Sequence, residues 1–276
     1  MAEITPGQLP DVYAGEAAHP VDEPHSVPAP ESSEGPGTLE AMVEMSPVQA
    51  REFWKALVDN ASSLITDAHT LLSAGSYGRA RSLTVLAQEE LGKALWIYAV
   101  FQTAWSQGDD SPRVVDALAR HGRSHTQKYL EAVVFGDELA EFWGDYSALP
   151  EMGSGYEAWE KTHKEQRAEA EVAAGEANLA KQRGFYVDRD ANGAVTSPTA
   201  LPAGTTADDL QTAARVIEML LIEDHTRMKS AAAPYDSTHA QQFRLLPVSH
   251  PEDWAAASDV LNPPAEEDGK PRADTD

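Results

Sequence analysis

The chain contains no cysteine. That excludes disulfides, thiolate nucleophiles and cysteine-ligated zinc, and it suits a reducing cytosol. Long apolar runs are also missing: none approaches the roughly 18 residues of a membrane span. The N-terminus has neither a basic n-region nor an apolar h-region, so no signal peptide or membrane partner is expected and the location expected is the cytoplasm. Lysine and arginine are absent from residues 1–45, which hold nine acidic residues and are rich in Pro, Gly, Glu and Ala. Such a segment buries too little apolar surface to offset its ordering entropy, so disorder is expected over residues 1–45 and in the tail 263–276, "PPAEEDGKPRADTD". No Gly-rich loop follows a strand and no Gly-x-Ser-x-Gly elbow occurs, so no cofactor is expected. Metal ligation is not expected either. Where a di-iron bundle carries Glu-x-x-His, this chain carries Glu90-Leu91-Gly92-Lys93, and neither His163 nor His225 has a second His at zinc-ligand spacing.

The formal net charge is −24, which by itself argues against a nucleic-acid partner. Half of that excess lies in the two terminal segments, and between Tyr77 and Lys128 seven Lys and Arg outnumber five Asp and Glu. This locally positive region could bind an anion such as RNA phosphate; a solvated face of mixed charge fits the same count.

Apolar residues at helical spacing make up most of what lies between the tails. Ser46-Pro47 forms an N-cap and first-turn pair, and the helix that follows carries Trp54, Leu57, Val58, Ala61, Ile65 and Ala68 before ending at Gly75. A second helix is expected over Tyr77 to Ser106, stopped by "QGDDSP". A third starts at Ser111-Pro112 and runs to about Phe135, and a short fourth spans Asp137 to Tyr146. A long polar helix follows over about Gly155 to Arg183. Phe185-Tyr186-Val187 and the Asn192-Gly193 turn then suggest a short extended or hairpin segment. Thr206 to Ala232 reads as an amphipathic helix with Leu210, Ala213, Ala214, Ile217, Leu220, Leu221 and His225 on one side, and a packing arm and one last helix complete residues 46–262. The fold class expected is an all-α bundle with one small extended insert.

Two of these helices turn polar groups toward their packed sides. In "RSLTVLAQEELGKALWIYAVF" the stripe Leu83, Leu86, Ala87, Ala94, Ile97 and Phe101 includes Glu90, with Lys93 at its edge and Glu89 beside it. In "ARHGRSHTQKYLEAVVF" the apolar side set by Val114, Val115, Leu118, Tyr129, Ala132 and Val133 includes His121 and His125, one turn apart, with Lys128 three residues further on. Unpaired buried charge is expensive, so these groups are expected to face one another in a shared cleft. Either a structural network or a reactive site would produce that pattern. Arg120 and His125 also fit Arg-x4-His. A guanidinium can fork onto two phosphate oxygens, a histidine can move protons near neutral pH, and RNA supplies its own 2′-OH nucleophile. On one ideal helix the two side chains would point roughly 140° apart at about 100° per residue. They converge only if the helix starts or bends between them, which Gly122 permits, or if a second subunit completes the site.

Together, "LVDNASSLITDAHTLLSAGSYGRARSLTVLAQEELGKAL", "HGRSHTQK" and "KQRGFYVD" resemble the AbiV family of bacterial abortive-infection proteins, within the HEPN superfamily. Glu89, Glu90, Gly92 and Lys93 match its Glu-Glu-Leu-Gly-Lys motif, His125 and Lys128 a His-x-x-Lys element, and Lys181 with Phe185 to Asp188 a late Lys…Tyr-Val-Asp segment. The resemblance implies a HEPN-like helical bundle and an antiphage role, in which growth or translation of the infected cell is arrested. It further implies a homodimer, a phage-encoded activator and, as in many superfamily members, metal-independent ribonuclease activity on RNA. His125 would then be the acid/base, Arg120 and Lys128 would stabilise phosphate charge, and Glu89 or Glu90, with Lys93 in the same cluster, would orient the histidine. The alternative is a non-catalytic interaction protein that blocks translation by binding a host or phage component.

Overall fold

The computed structural model describes residues 44–142, 156–231, 233 and 236–261. The expected tail over residues 1–45 lies outside them except for Glu44–Met45, and the tail 263–276 lies outside them altogether.

Helix α1 spans Pro47–Ser73 and starts as its sequence dictates: Ser46 Oγ accepts from the Gln49 N–H at 3.3 Å, and Gln49 Oε1 accepts from the Ser46 N–H at 3.0 Å. This reciprocal capping box satisfies two N–H groups that lie outside the helical ladder. At the other end Gly75, with φ 73°, turns the chain into α2, Tyr77–Gln107. That helix closes on a second left-handed glycine, Gly108.

Ser111-Pro112 does not begin a helix, contrary to expectation. Asp109 accepts from the Ser111 N–H and from Arg113, and Arg113 also donates to the carbonyl of Val100 at 2.8 Å. Held extended in this way, Arg113–Val114 (β2) pairs antiparallel with Glu44–Met45 (β1). Helix α3 is then only Asp116–His121, and α4 starts afresh at His125 and runs to Phe142. The expected third helix is therefore two helices, whereas the third and fourth segments join across Asp137 in the described residues; the remainder of the fourth, 143–146, lies outside them.

Helix α5, Tyr156–Phe185, is the long polar helix. It packs through a narrow seam of Ala170, Ala174, Ala177, Lys181 and Gly184 at alternating spacings of four and three residues, while its many charges face outward. Asp188–Arg189 (β3) and Val195–Thr196 (β4) form the expected hairpin. Gly193, with φ 87°, sits in its turn, and Asp190 accepts from the N–H groups of Asn192 and Ala194. Helices α6 (Thr206–Ser230), α7 (Gln241–Ser249) and α8 (Pro251–Leu261) complete the all-α bundle.

Helix α2 occupies the middle, packed against α1, α4, α5 and α6. Trp54 and Ile65 of α1, Leu91, Ile97 and Phe101 of α2, Leu210, Ile217 and Leu221 of α6, and Leu245 of α7 are fully buried in one cluster. Each such side chain contributes about 1.5–3 kcal/mol of transfer free energy. Because α2 has neighbours on most sides, Val85, Leu95, Trp96 and Tyr98 are buried as well as Ala87, Ala94, Ile97 and Phe101 of the stripe read from the sequence, whose Leu83 and Leu86 are only half-buried. No helix among the described residues is long and apolar enough to cross a membrane.

Candidate functional site

A helix surrounded by others has few places for a charge, and α2 places one at Glu89, which is 2% exposed. Three cationic or protonatable groups converge on its carboxylate. His125 Nδ1, in the first turn of α4, lies 2.6 Å from Oε2; Lys128 Nζ, one turn later, lies 3.5 Å from the same oxygen; Lys181 Nζ, from α5, lies 2.5 Å from Oε1. Close backbone approach makes this possible. A Cβ on Gly92 would lie 1.9 Å from the carbonyl oxygen of Lys128, so only glycine lets α4 come this near α2. A Cβ on Gly184 would lie 2.0 Å from Ser82 Oγ and 2.1 Å from the carbonyl oxygen of Gly78, which sets α5 equally tightly on the start of α2. The Ser82 hydroxyl lies 2.8 Å from the carbonyl oxygen of Lys181 itself and 3.0 Å from that of Gly78.

The geometry fixes the chemistry of the histidine. An ionised carboxylate only accepts hydrogen bonds, so the short contact makes Nδ1 the N–H donor. In the neutral ring the lone pair then lies on Nε2, and the side chain as a whole is 54% exposed. Glu89 thus orients His125 and selects one tautomer. The charges do not cancel: one carboxylate faces two ammonium groups that are only 8% and 9% exposed. The centre carries a surplus positive charge even with His125 neutral, and an excess cation in a poorly solvated cleft favours an anionic occupant.

The chain breaks between Arg120 and His125, so the two do not share one continuous helix. Ser124 Oγ accepts from the Gln127 N–H at 3.3 Å, and the chain restarts at His125. The break also separates residues that periodicity had placed together. His121 ends α3 and its ring lies 6.4 Å from that of Trp96, while His125 reaches Glu89. Arg120, 70% exposed, faces Asp116 at 3.8 Å and has no contact with Glu89 among the described residues. Of the neighbouring carboxylates, Glu89 is the buried one. Glu90, which the stripe had placed inward, pairs with Lys93 at 2.6 Å on the same helix. Lys181 had been noted only as part of the late motif, with no role in the cleft. Its signal was present: it is the one charged residue on the alanine seam of α5.

A second polar centre had no sequence signal. Asp224 of α6 is fully buried; it accepts from Arg51 at 2.7 Å, from Arg227 at 2.7 and 2.9 Å, and from His239 Nε2 at 2.8 Å. Arg51 also reaches Asp236 at 3.0 Å and lies over the rings of Trp54 and Trp105. Burial alone would raise the Asp224 carboxyl; the hydrogen bonds from His239 and Arg51 and the charges of Arg51 and Arg227 outweigh it and hold the group at about 2. Arg51, Trp105, Arg227 and Asp236 border a cleft of about 330 Å³. The interlocked ion pairs tie α1 and α6 to the segment around His239, a bracing role.

The AbiV family of HEPN-type proteins matches residues 49–218, more than half of the chain, including every residue of the Glu89 centre. Asp224, Arg227, Asp236 and His239 lie beyond the matched residues. No curated protein and no solved structure matches the chain. By that family match and its all-α fold, the chain belongs to the AbiV family of abortive-infection proteins, within the HEPN superfamily.

Proposed function

We propose that this protein is an antiphage effector that arrests growth or translation of the infected bacterial cell by cutting RNA without a metal ion. The observation that carries the reading is the Glu89–His125 pair, in which a buried carboxylate holds Nδ1–H and leaves Nε2 available to a substrate. Nε2 removes the proton of a ribose 2′-OH; the 2′-oxygen attacks the adjacent phosphorus, and the bond to the 5′-oxygen breaks. The products are a 2′,3′-cyclic phosphate and a 5′-OH; the leaving 5′-oxygen takes its proton from water, and the His125 imidazolium gives its proton to the hydroxide so formed. Lys128 and the surplus positive charge of the centre stabilise the negative charge that builds on phosphate, and Arg120, across the Gly122 turn, swings from Asp116 onto the phosphodiester. The protein acts in the cytoplasm as a homodimer, triggered by a phage component.

The test is expression of wild type, Arg120→Ala and His125→Ala in a bacterial host challenged with a phage panel, with plaque counts, total-RNA integrity and circular dichroism. Wild type is expected to protect and to cleave RNA, and folded His125→Ala to do neither. A folded His125→Ala that still protects with intact RNA sinks the ribonuclease reading.

The weak, exposed pairing of Arg120 with Asp116, outside the Glu89 centre, favours a second reading. In it the protein blocks translation by binding a host or phage component, and the centre serves only to hold α2, α4 and α5 together. Single substitutions at Arg120 or His125 then leave protection intact, while changes to exposed apolar residues abolish it.

A further inference from the structure

We infer that Lys181 is a positioning residue that sets the orientation and proton affinity of His125 through Glu89, so that docking of α5 on α2 is what makes the histidine competent. The inference rests on the reading of His125 as the acid/base, but its readout does not require RNA cleavage.

Glu89 has two carboxylate oxygens and the structure divides them. Oε2 takes His125, with Lys128 further away at 3.5 Å, while Oε1 is held by Lys181 at 2.5 Å. Lys181 therefore fixes the rotation of the carboxylate from the side opposite the histidine. Helix α2 gives Glu89 no partner of its own, because Glu90 and Lys93 are satisfied by each other. The groups that meet on the Glu89 carboxylate are thus His125 and Lys128 from α4 and Lys181 from α5. Lys181 is itself located with little freedom: its side chain is 9% exposed, its carbonyl lies 2.8 Å from the Ser82 hydroxyl, and Gly184 three residues on has no room for a Cβ. A lysine needed only for solubility or for helix propensity would not be placed on the one buried seam of an otherwise charged helix.

The direction of its effect follows from charge. Lys181 offsets part of the Glu89 negative charge and also repels an imidazolium directly. Removing it strengthens the field that favours protonated His125, so the histidine midpoint should rise. It also frees the carboxylate to rotate, which weakens selection of the Nδ1–H tautomer.

The experiment is a pH titration of the full-length protein, labelled with 15N in histidine, following the ring nitrogens of His125 by NMR in wild type, Lys181→Met and Lys181→Arg. Assignment comes from the resonance lost in His125→Ala. Wild type is expected to show the Nδ1–H tautomer when neutral. Lys181→Met should raise the midpoint by roughly half a pH unit or more and mix the tautomers, and Lys181→Arg should restore both. An unchanged midpoint and tautomer in folded Lys181→Met, with only a lowered melting temperature, overturns the proposal. Should that variant not fold by circular dichroism, Lys181→Gln, which keeps N–H donors without the charge, takes the same titration and decides by the same shift. Intact RNA together with the shifted titration would remove the ribonuclease reading and leave the role of Lys181 standing.

Discussion

Replacing Glu89 by glutamine would leave the ammonium groups of Lys128 and Lys181 facing each other in a cleft where each is more than nine-tenths buried. Removing one partner of a buried ion pair costs about 3–5 kcal/mol, because the remaining charge keeps its desolvation penalty. Glu89→Gln should therefore lower the urea-unfolding free energy by about that amount. Glu90→Gln next door, which breaks an i,i+3 pair with Lys93 whose side chains are 20% and 21% exposed, should cost less than Glu89→Gln. Equal losses for the two variants would mean that the centre is better solvated than the structure places it. The contrast also marks how far the site was legible. The sequence shows carboxylates, lysines and histidines at inward positions of two helices, enough to predict a shared polar cleft drawn from Glu89 or Glu90, Lys93, His125 and Lys128. It could not choose between Glu89 and Glu90, because a one-stripe reading assumes one buried face and α2 has several. Lys181 escaped for a different reason: it lies 92 residues from Glu89, and only the packing of α5 brings them together.

The helices themselves were largely readable because their ends carry local chemistry: the Ser46-Pro47 cap, the left-handed Gly75, and the hairpin turn at Gly193. The failures came where a tertiary partner overrides local pattern. Ser111-Pro112 resembles a helix start, but pairing of Arg113–Val114 with Glu44–Met45 keeps it extended. Continuous apolar spacing carried the third helix on to Phe135, and Gly122 marked only where it could bend; the restart at His125 depends on Ser124 capping a new helix. At this scale the glycines make the sharpest test. Gly92→Ala and Gly184→Ala each put a Cβ within about 2 Å of backbone or hydroxyl oxygen across a helix contact, and overpacking of that kind costs about 1–3 kcal/mol or more. At Gly175, inside the same α5, an added Cβ would meet nothing within 4 Å, so Gly175→Ala should stabilise by up to about 1 kcal/mol. Thermal unfolding of the three variants checks this, and a destabilised Gly175→Ala would show that this face of α5 is covered.

Two opposing electrostatic effects act on the molecule as a whole. With a net charge of −24, the folded chain repels itself, and protons that reduce the charge favour the compact state. As pH falls from 7 toward 5 the net negative charge shrinks, so stability should rise; added salt should raise it at pH 7 by screening the same repulsion. Below that range the Asp224 centre reverses the trend. Asp224 is held at about 2 against an ordinary value of 3.8, and Asp236, where hydrogen bonds from Thr238 and Arg51 outweigh the opposing effect of burial, is also depressed. A carboxyl whose folded value is lowered contributes stability that is fully present above the unfolded value and is lost as pH falls through the folded one. The loss should therefore set in just below pH 4 and deepen toward pH 2, as protonation of Asp224 strips Arg51 and Arg227 of their shared acceptor and loosens α1 from α6. Urea unfolding at pH 7, 5, 4 and 3 should trace a maximum near pH 5 followed by a fall. In Asp224→Asn that acid limb should flatten, because the group that must be protonated is already neutral, at the cost of a lower plateau. A wild-type curve with no loss between pH 4 and 3 would mean that the Asp224 network does not brace the bundle.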